Sequence, residues 1–136
     1  MIKEIVKDVL FLEQKSELAT KEDAGVITDL IDTLNANLEH CVGMAANMIG
    51  ELKNIIAVND NGSYLIMYEP QIIKADKPYD TQEGCLSLDG VRNTKRYKKI
   101  KVRYLDSSRK LKIKTFEGYT AQIIQHEIDH CNGIII

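Results

Sequence analysis

Between Lys21 and His40, apolar residues fall at Val26, Ile27, Leu30, Ile31, Leu34 and Leu38, the spacing that lines one side of a helix. Thr20 and Asp23 give that helix a capped start. From Asn54 to Pro70 the chain turns β-rich. Ile55-Ile56-Ala57-Val58 and Tyr64-Leu65-Ile66-Met67-Tyr68 flank Asn59-Asp60-Asn61-Gly62, which predicts a hairpin with its turn at the Asn/Asp/Gly cluster. A second hairpin is predicted where Ile100, Val102 and Tyr104 alternate with Lys99, Lys101 and Arg103. Its other strand has Leu111 and Ile113 alternating with Lys110, Lys112 and Lys114, with one face apolar and one wet. After Gly118 the period changes again, and Thr120 to Cys131, free of Gly and Pro, reads as a short helix. Strands followed by a terminal helix, without βαβ alternation, predict an α+β fold. We expect antiparallel or mixed sheets packed around a helix near the C-terminus, with one N-terminal helix.

Length and composition narrow the class. A chain of 136 residues, 44% hydrophobic and 28% charged, fits a single domain over residues 1–136 with a real core. No apolar run approaches the roughly 18 residues of a membrane helix, and the N-terminus lacks a signal-peptide core, so a soluble cytoplasmic protein without a membrane partner is expected. Three cysteines, Cys41, Cys85 and Cys131, cannot all pair within the chain, which favours metal ligation or buried thiols over a disulfide framework. The net charge of -2 hides an asymmetry: residues 1–91 hold 7 basic and 16 acidic side chains, whereas Arg92–Lys114 holds 11 basic ones and Asp106 alone. Because these charges alternate with apolar residues and no nucleic-acid motif accompanies them, they read as a solvated strand face rather than a specific nucleic-acid site. An RNA- or ribosome-associated module built on this hairpin is the rival reading.

The chemistry concentrates in His126-Glu127-Ile128-Asp129-His130. Two imidazoles one turn apart on a helix reach one divalent metal, with Glu127 beside them to take a proton from an attacking water. A catalytic site needs a third ligand, and after His130 only Cys131 and a short tail follow, Cys131 projecting away around the helix. The ligand must come from upstream, which disfavours a zinc protease with a downstream ligand. His40 and Cys41 are candidates. Cys85, in Glu83-Gly84-Cys85-Leu86-Ser87, is preferred because the preceding glycine permits close backbone approach.

Glu83-Gly84-Cys85-Leu86-Ser87 and Gln125-His126-Glu127-Ile128-Asp129-His130 resemble two of the three motifs of peptide deformylases. Val42-Gly43-Met44-Ala45-Ala46 resembles the third, all in the family's order. The resemblance implies removal of the formyl group from the N-terminal formyl-methionine of nascent peptides. It implies one divalent metal, iron(II) before zinc, on Cys85, His126 and His130, with Glu127 as general base and acid and the Leu86 N–H as oxyanion donor. The Val42-Gly43 backbone would hold the peptide extended, Ile123 would line the methionine pocket, and Glu83 with Arg96 would form a structural ion pair. Transient ribosome association is a further expectation, without the C-terminal extension some members use for docking. The chain departs from the pattern at Cys41 for a glycine, Glu69 for the asparagine before Pro70, and Met48 for a glutamine that donates to the oxyanion. A thioether cannot donate. Met48 therefore raises an alternative, a low-activity paralogue that binds metal and N-formylated or N-blocked peptides with little turnover.

Overall fold

Ile55-Ile56-Ala57-Val58 is apolar at every position because its strand is covered on both faces. The computed structural model describes residues Met1–Ile136. Five antiparallel strands form one sheet in the order β1 (Gly43–Ala45), β2 (Ile55–Asp60), β3 (Ser63–Gly84), β4 (Val91–Leu105), β5 (Leu111–Glu117). Alternation along β2 sends Ile55 and Ala57 into a core with Leu30 and Leu34 of helix α2 (Ala24–Ala36). It sends Ile56 and Val58 into a second core with Ala121, Ile124 and Ile128 of helix α3 (Gly118–Cys131). The result is helix, sheet, helix, which is the α+β arrangement expected, with α3 against the face that carries the chemistry. A short helix α1 (Val9–Leu12) precedes these elements, so the chain has two helices ahead of the sheet, not one.

The predicted caps and turns are present. Thr20 and Asp23 form a reciprocal capping box, though on a single 3-10 turn (Lys21–Asp23) leading into α2. That helix ends at Ala36 instead of running to His40, because Asn37 leaves helical geometry and turns its amide back to the Thr33 carbonyl at 2.7 Å. The first hairpin closes through Asn61-Gly62, with Asn61 in the left-handed region (φ 52°) as a two-residue hairpin turn requires. Sheet pairing is purely antiparallel, with one isolated parallel bridge between Glu17 and Lys53.

Two expectations are corrected. β3 does not stop at Pro70 but runs on to Gly84, paired with β4 from Tyr68 onward and interrupted by register shifts at Tyr68/Gln71 and Ile72/Lys74. Glu69 explains the first shift: it sits at φ 51° and its carboxylate accepts from the Ala19 N–H at 2.6 Å and the Asn54 amide at 3.0 Å. In the second hairpin the apolar face belongs mainly to β4. Ile100, Val102 and Tyr104 are buried, but Leu111 and Ile113 stand 55% and 51% exposed. The Asp106 turn sets this register, its carboxylate accepting from the Ser108 and Lys110 N–H groups at 2.9 Å. It pairs Ile113 with outward Arg103, and of β5 only Phe116 packs on the core. No helix is long and apolar enough to cross a membrane.

α3 ends in a Schellman motif, Gly133 N–H to the His130 carbonyl at 3.0 Å and Ile134 N–H to the Asp129 carbonyl at 2.9 Å. Gly133 lies at φ 73°, and a Cβ there would strike the Glu13 backbone. Gly25, inside α2, has open space around it. Gly133→Ala should therefore lose about 1–3 kcal/mol from backbone strain alone, while Gly25→Ala should gain up to about 0.5 kcal/mol. Urea unfolding of the two variants checks this, and equal midpoints would contradict it.

Candidate metal centre

Three chain segments supply the site. β3 delivers Glu83 and Gly84 and breaks directly into Cys85; α3 presents His126 and His130 one turn apart; β1 passes with Val42 and Gly43 at its edge. The donor atoms of Cys85, His126 and His130 lie within 4.8 Å of one another. His130 Nε2 is 3.1 Å from His126 Nε2 and 3.3 Å from Cys85 Sγ. Ligands held tetrahedrally at ordinary metal distances would stand about 3.3 Å (N to N) and about 3.6 Å (S to N) apart, so the donor set fits one ion with little movement. Two imidazole nitrogens this close repel unless a proton or cation lies between them. Burial pushes His126 down, but hydrogen bonds with Cys85 and Glu83 carry it up to about 10; burial and the His126 charge hold His130 down at about 3.

Glu83 is more than the structural partner of Arg96. The Arg96 guanidinium grips it at 2.7, 3.0 and 3.1 Å and also reaches Asp129 at 2.7 Å. Its Oε1 accepts from His126 Nδ1 at 2.9 Å and its Oε2 from the Gln122 amide at 2.9 Å. Burial raises its pKa, but hydrogen bonds from His126, Arg96 and Gln122 outweigh that and hold the carboxyl down at about 2. The Nδ1 proton bound in this way leaves His126 Nε2 free as a donor atom, the carboxylate–histidine arrangement common behind metal ligands. The sequence shows Glu83 two residues ahead of Cys85, but its contact with His126 depends on a pairing across 43 residues that spacing does not reveal.

Glu127 is 4% exposed, and burial pushes its carboxyl up to about 7, where it can exchange a proton at neutral pH. It lies against Gly43. A Cβ on Gly43 would come within 2.5 Å of Ile123 and 3.0 Å of the Glu127 carboxylate, so only glycine lets the strand edge approach. A cavity of ≈280 Å³ opens here, and Val42, Gly43, Ile123, His126 and Glu127 are on its wall. His40 and Cys41 also face it but stand outside the donor group, and Cys131 is buried in the α3 core. Leu86 is half-buried, and its N–H makes no hydrogen bond within the protein. Met48 is not on the cavity wall; it is buried among Leu30, Met44 and Tyr68, with Cys85 and Leu86 packed against that cluster.

A soft sulfur and two imidazoles aimed at one point, beside a buried carboxyl and a cleft, define a single-metal hydrolase. The polypeptide deformylase family model matches residues 2–136. A peptide deformylase of Clostridium beijerinckii is 61% identical over 136 residues, covering 100% of both chains, and one of Thermoanaerobacter pseudethanolicus is 35% identical over 91% of this chain and 79% of its own. The crystal structure of the Thermotoga maritima peptide deformylase matches with a TM-score of 0.89 at 27% identity, covering 99% of this chain and 95% of that one. This chain belongs to the polypeptide deformylase family. Nothing in these likenesses favours a low-turnover binding protein over a working enzyme.

If Cys85 is the third donor, Cys85→Ala should abolish tight metal binding, whereas Cys41→Ala and Cys131→Ala should leave about one metal per chain. Elemental analysis of anaerobically purified protein reads this directly. Loss of metal on Cys41→Ala with retention on Cys85→Ala would reverse the assignment.

Proposed function

We propose that residues 1–136 act as one catalytic domain that removes the formyl group from the N-terminal formyl-methionine of nascent peptides in the cytoplasm, with transient association to the ribosome. The observation that carries this reading is the convergence of Cys85, His126 and His130 beside buried Glu127 at the open edge of a strand. In this reading Cys85, His126 and His130 hold one divalent ion, iron(II) in preference to zinc, since one thiolate with two imidazoles suits either. When bound, the ion supplies Lewis acidity, polarising the formyl carbonyl and making water a nucleophile near neutral pH.

The chain's own groups do the rest. β1 pairs with β2 on one side only, so its other edge accepts an extended peptide as an added strand, with the Val42-Gly43 backbone as its partner. Ile123 lines the recess that takes the methionine side chain. Glu127 accepts a proton from the attacking water and returns it to the departing peptide amine, a task its near-neutral pKa suits. The free N–H of Leu86 donates to the oxygen that becomes negative as the carbonyl turns tetrahedral. Met48 takes the sequence position of the family's second donor and contributes no proton.

Glu127→Gln tests the proton transfer. The variant should keep its metal but release formate from a formyl-Met peptide at least about 10²-fold more slowly, because an amide cannot accept the proton. A variant of near wild-type rate would remove Glu127 from the mechanism.

Met48→Gln tests the oxyanion site. It should raise kcat/KM on a formyl-Met peptide by about one to two orders of magnitude, with the gain in kcat. Because it sets an amide in an apolar cluster, it should also lower Tm. A wild type that already turns over at a typical deformylase rate, with no gain from Met48→Gln, would show that another donor serves the oxyanion.

A further inference from the structure

The two histidines of the site are supported unequally. His126 Nδ1–H donates to the Glu83 carboxylate at 2.9 Å, whereas His130 Nδ1 is buried with no partner. An imidazole that binds through Nε2 must carry its proton on Nδ1, and that proton ordinarily has an acceptor. The polar side chain bonded to His130's backbone is Asn47. It is completely buried in the 3-10 turn (Ala46–Ile49) after β1, and its Nδ2 donates to the His130 carbonyl at 2.9 Å across 83 residues. Its Oδ1 is also buried and without a partner. A hydrophobic residue of the same shape would avoid the cost of an unsatisfied amide oxygen there. Two residues already joined by one hydrogen bond therefore hold a complementary pair of orphaned atoms, one able to donate and one able to accept.

We infer that Asn47 is a positioning residue for the metal ligand His130: its Nδ2 fixes the backbone at the end of α3 and so sets where the imidazole stands, and its Oδ1, which the structure leaves unbonded, is the buried acceptor that the Nδ1 proton would take once Nε2 is turned toward the ion. This rests on the metal reading of the site. Asn47 touches no reacting atom, so its effect passes through His130.

The test uses the full chain, stripped of metal and reloaded with Zn²⁺ or Co²⁺, as wild type, Asn47→Leu and Asn47→Ala. Zn²⁺ affinity is read by chelator competition, ligand geometry from the thiolate-to-Co²⁺ and d–d absorption bands, and folding of each metal-free form from circular dichroism. The inference predicts roughly tenfold to a hundredfold weaker Zn²⁺ binding and shifted Co²⁺ bands in variants whose metal-free forms remain folded. Should Asn47→Leu not fold, the smaller alanine decides. Wild-type affinity and unshifted bands in a folded variant would overturn the inference, as would weakened binding that merely follows lost stability with unshifted bands. A wild type that binds neither ion would instead overturn the metal reading itself.

Discussion

A carboxylate enclosed by protein is unfavourable unless every lone pair finds a donor, and Glu83 is placed so that three segments must meet to satisfy it. β4 brings the Arg96 guanidinium, α3 brings His126 Nδ1 and the Gln122 amide, and β3 ends on Glu83 itself. Arg96 passes the constraint on to Asp129, one residue before His130. Removing Arg96 would strand a buried charge, so the β3–β4 pair and α3 are held in one relative placement. Cys85 lies two residues beyond that anchor, and its sulfur arrives 3.3 Å from His130 Nε2. The interaction that stabilises the sheet against the helix thus also aims the donor atoms.

The two faces of the sheet divide the remaining work. The α2 face is filled by Leu30, Leu34, Met44, Met48 and Tyr68, with no charged group in its core. The α3 face carries the polar cluster at one end of an otherwise apolar core of Ile56, Val58, Ile100, Val102 and Ile124. Between them β1, only three residues long, leaves an open backbone edge beside Glu127. A short unpaired edge strand is the kind another chain can pair with, and under the proposed function the peptide pairs here.

Much of this could be read from residue order. Helical spacing marked α2 and α3, the Asn61-Gly62 turn marked the first hairpin, and the two histidines four apart marked the metal helix, because each signal is local. Local pattern failed where long-range pairing decided. β3 carries bulges and a polar second half, Asp76 to Glu83, with no strand-like alternation, and it is a strand because β4 pairs with it. Leu111 and Ile113 looked like core residues, but a turn closed by Asp106 turned them to solvent. Asn47 gave no signal, since an amide bonding to a carbonyl 83 residues away is invisible in spacing. Glu83 and Cys85 were singled out by their motif, yet their geometry toward His126 and His130 appears only in the folded chain.

The account stands on one ion held by Cys85, His126 and His130 doing deformylation. Its most direct test is to titrate metal-free protein with Fe²⁺ under anaerobic conditions while measuring formate release from a formyl-Met peptide. Activity should rise linearly from zero and break at about one metal per chain. Undiminished formate release from the metal-free protein, or none at saturating metal, would contradict it.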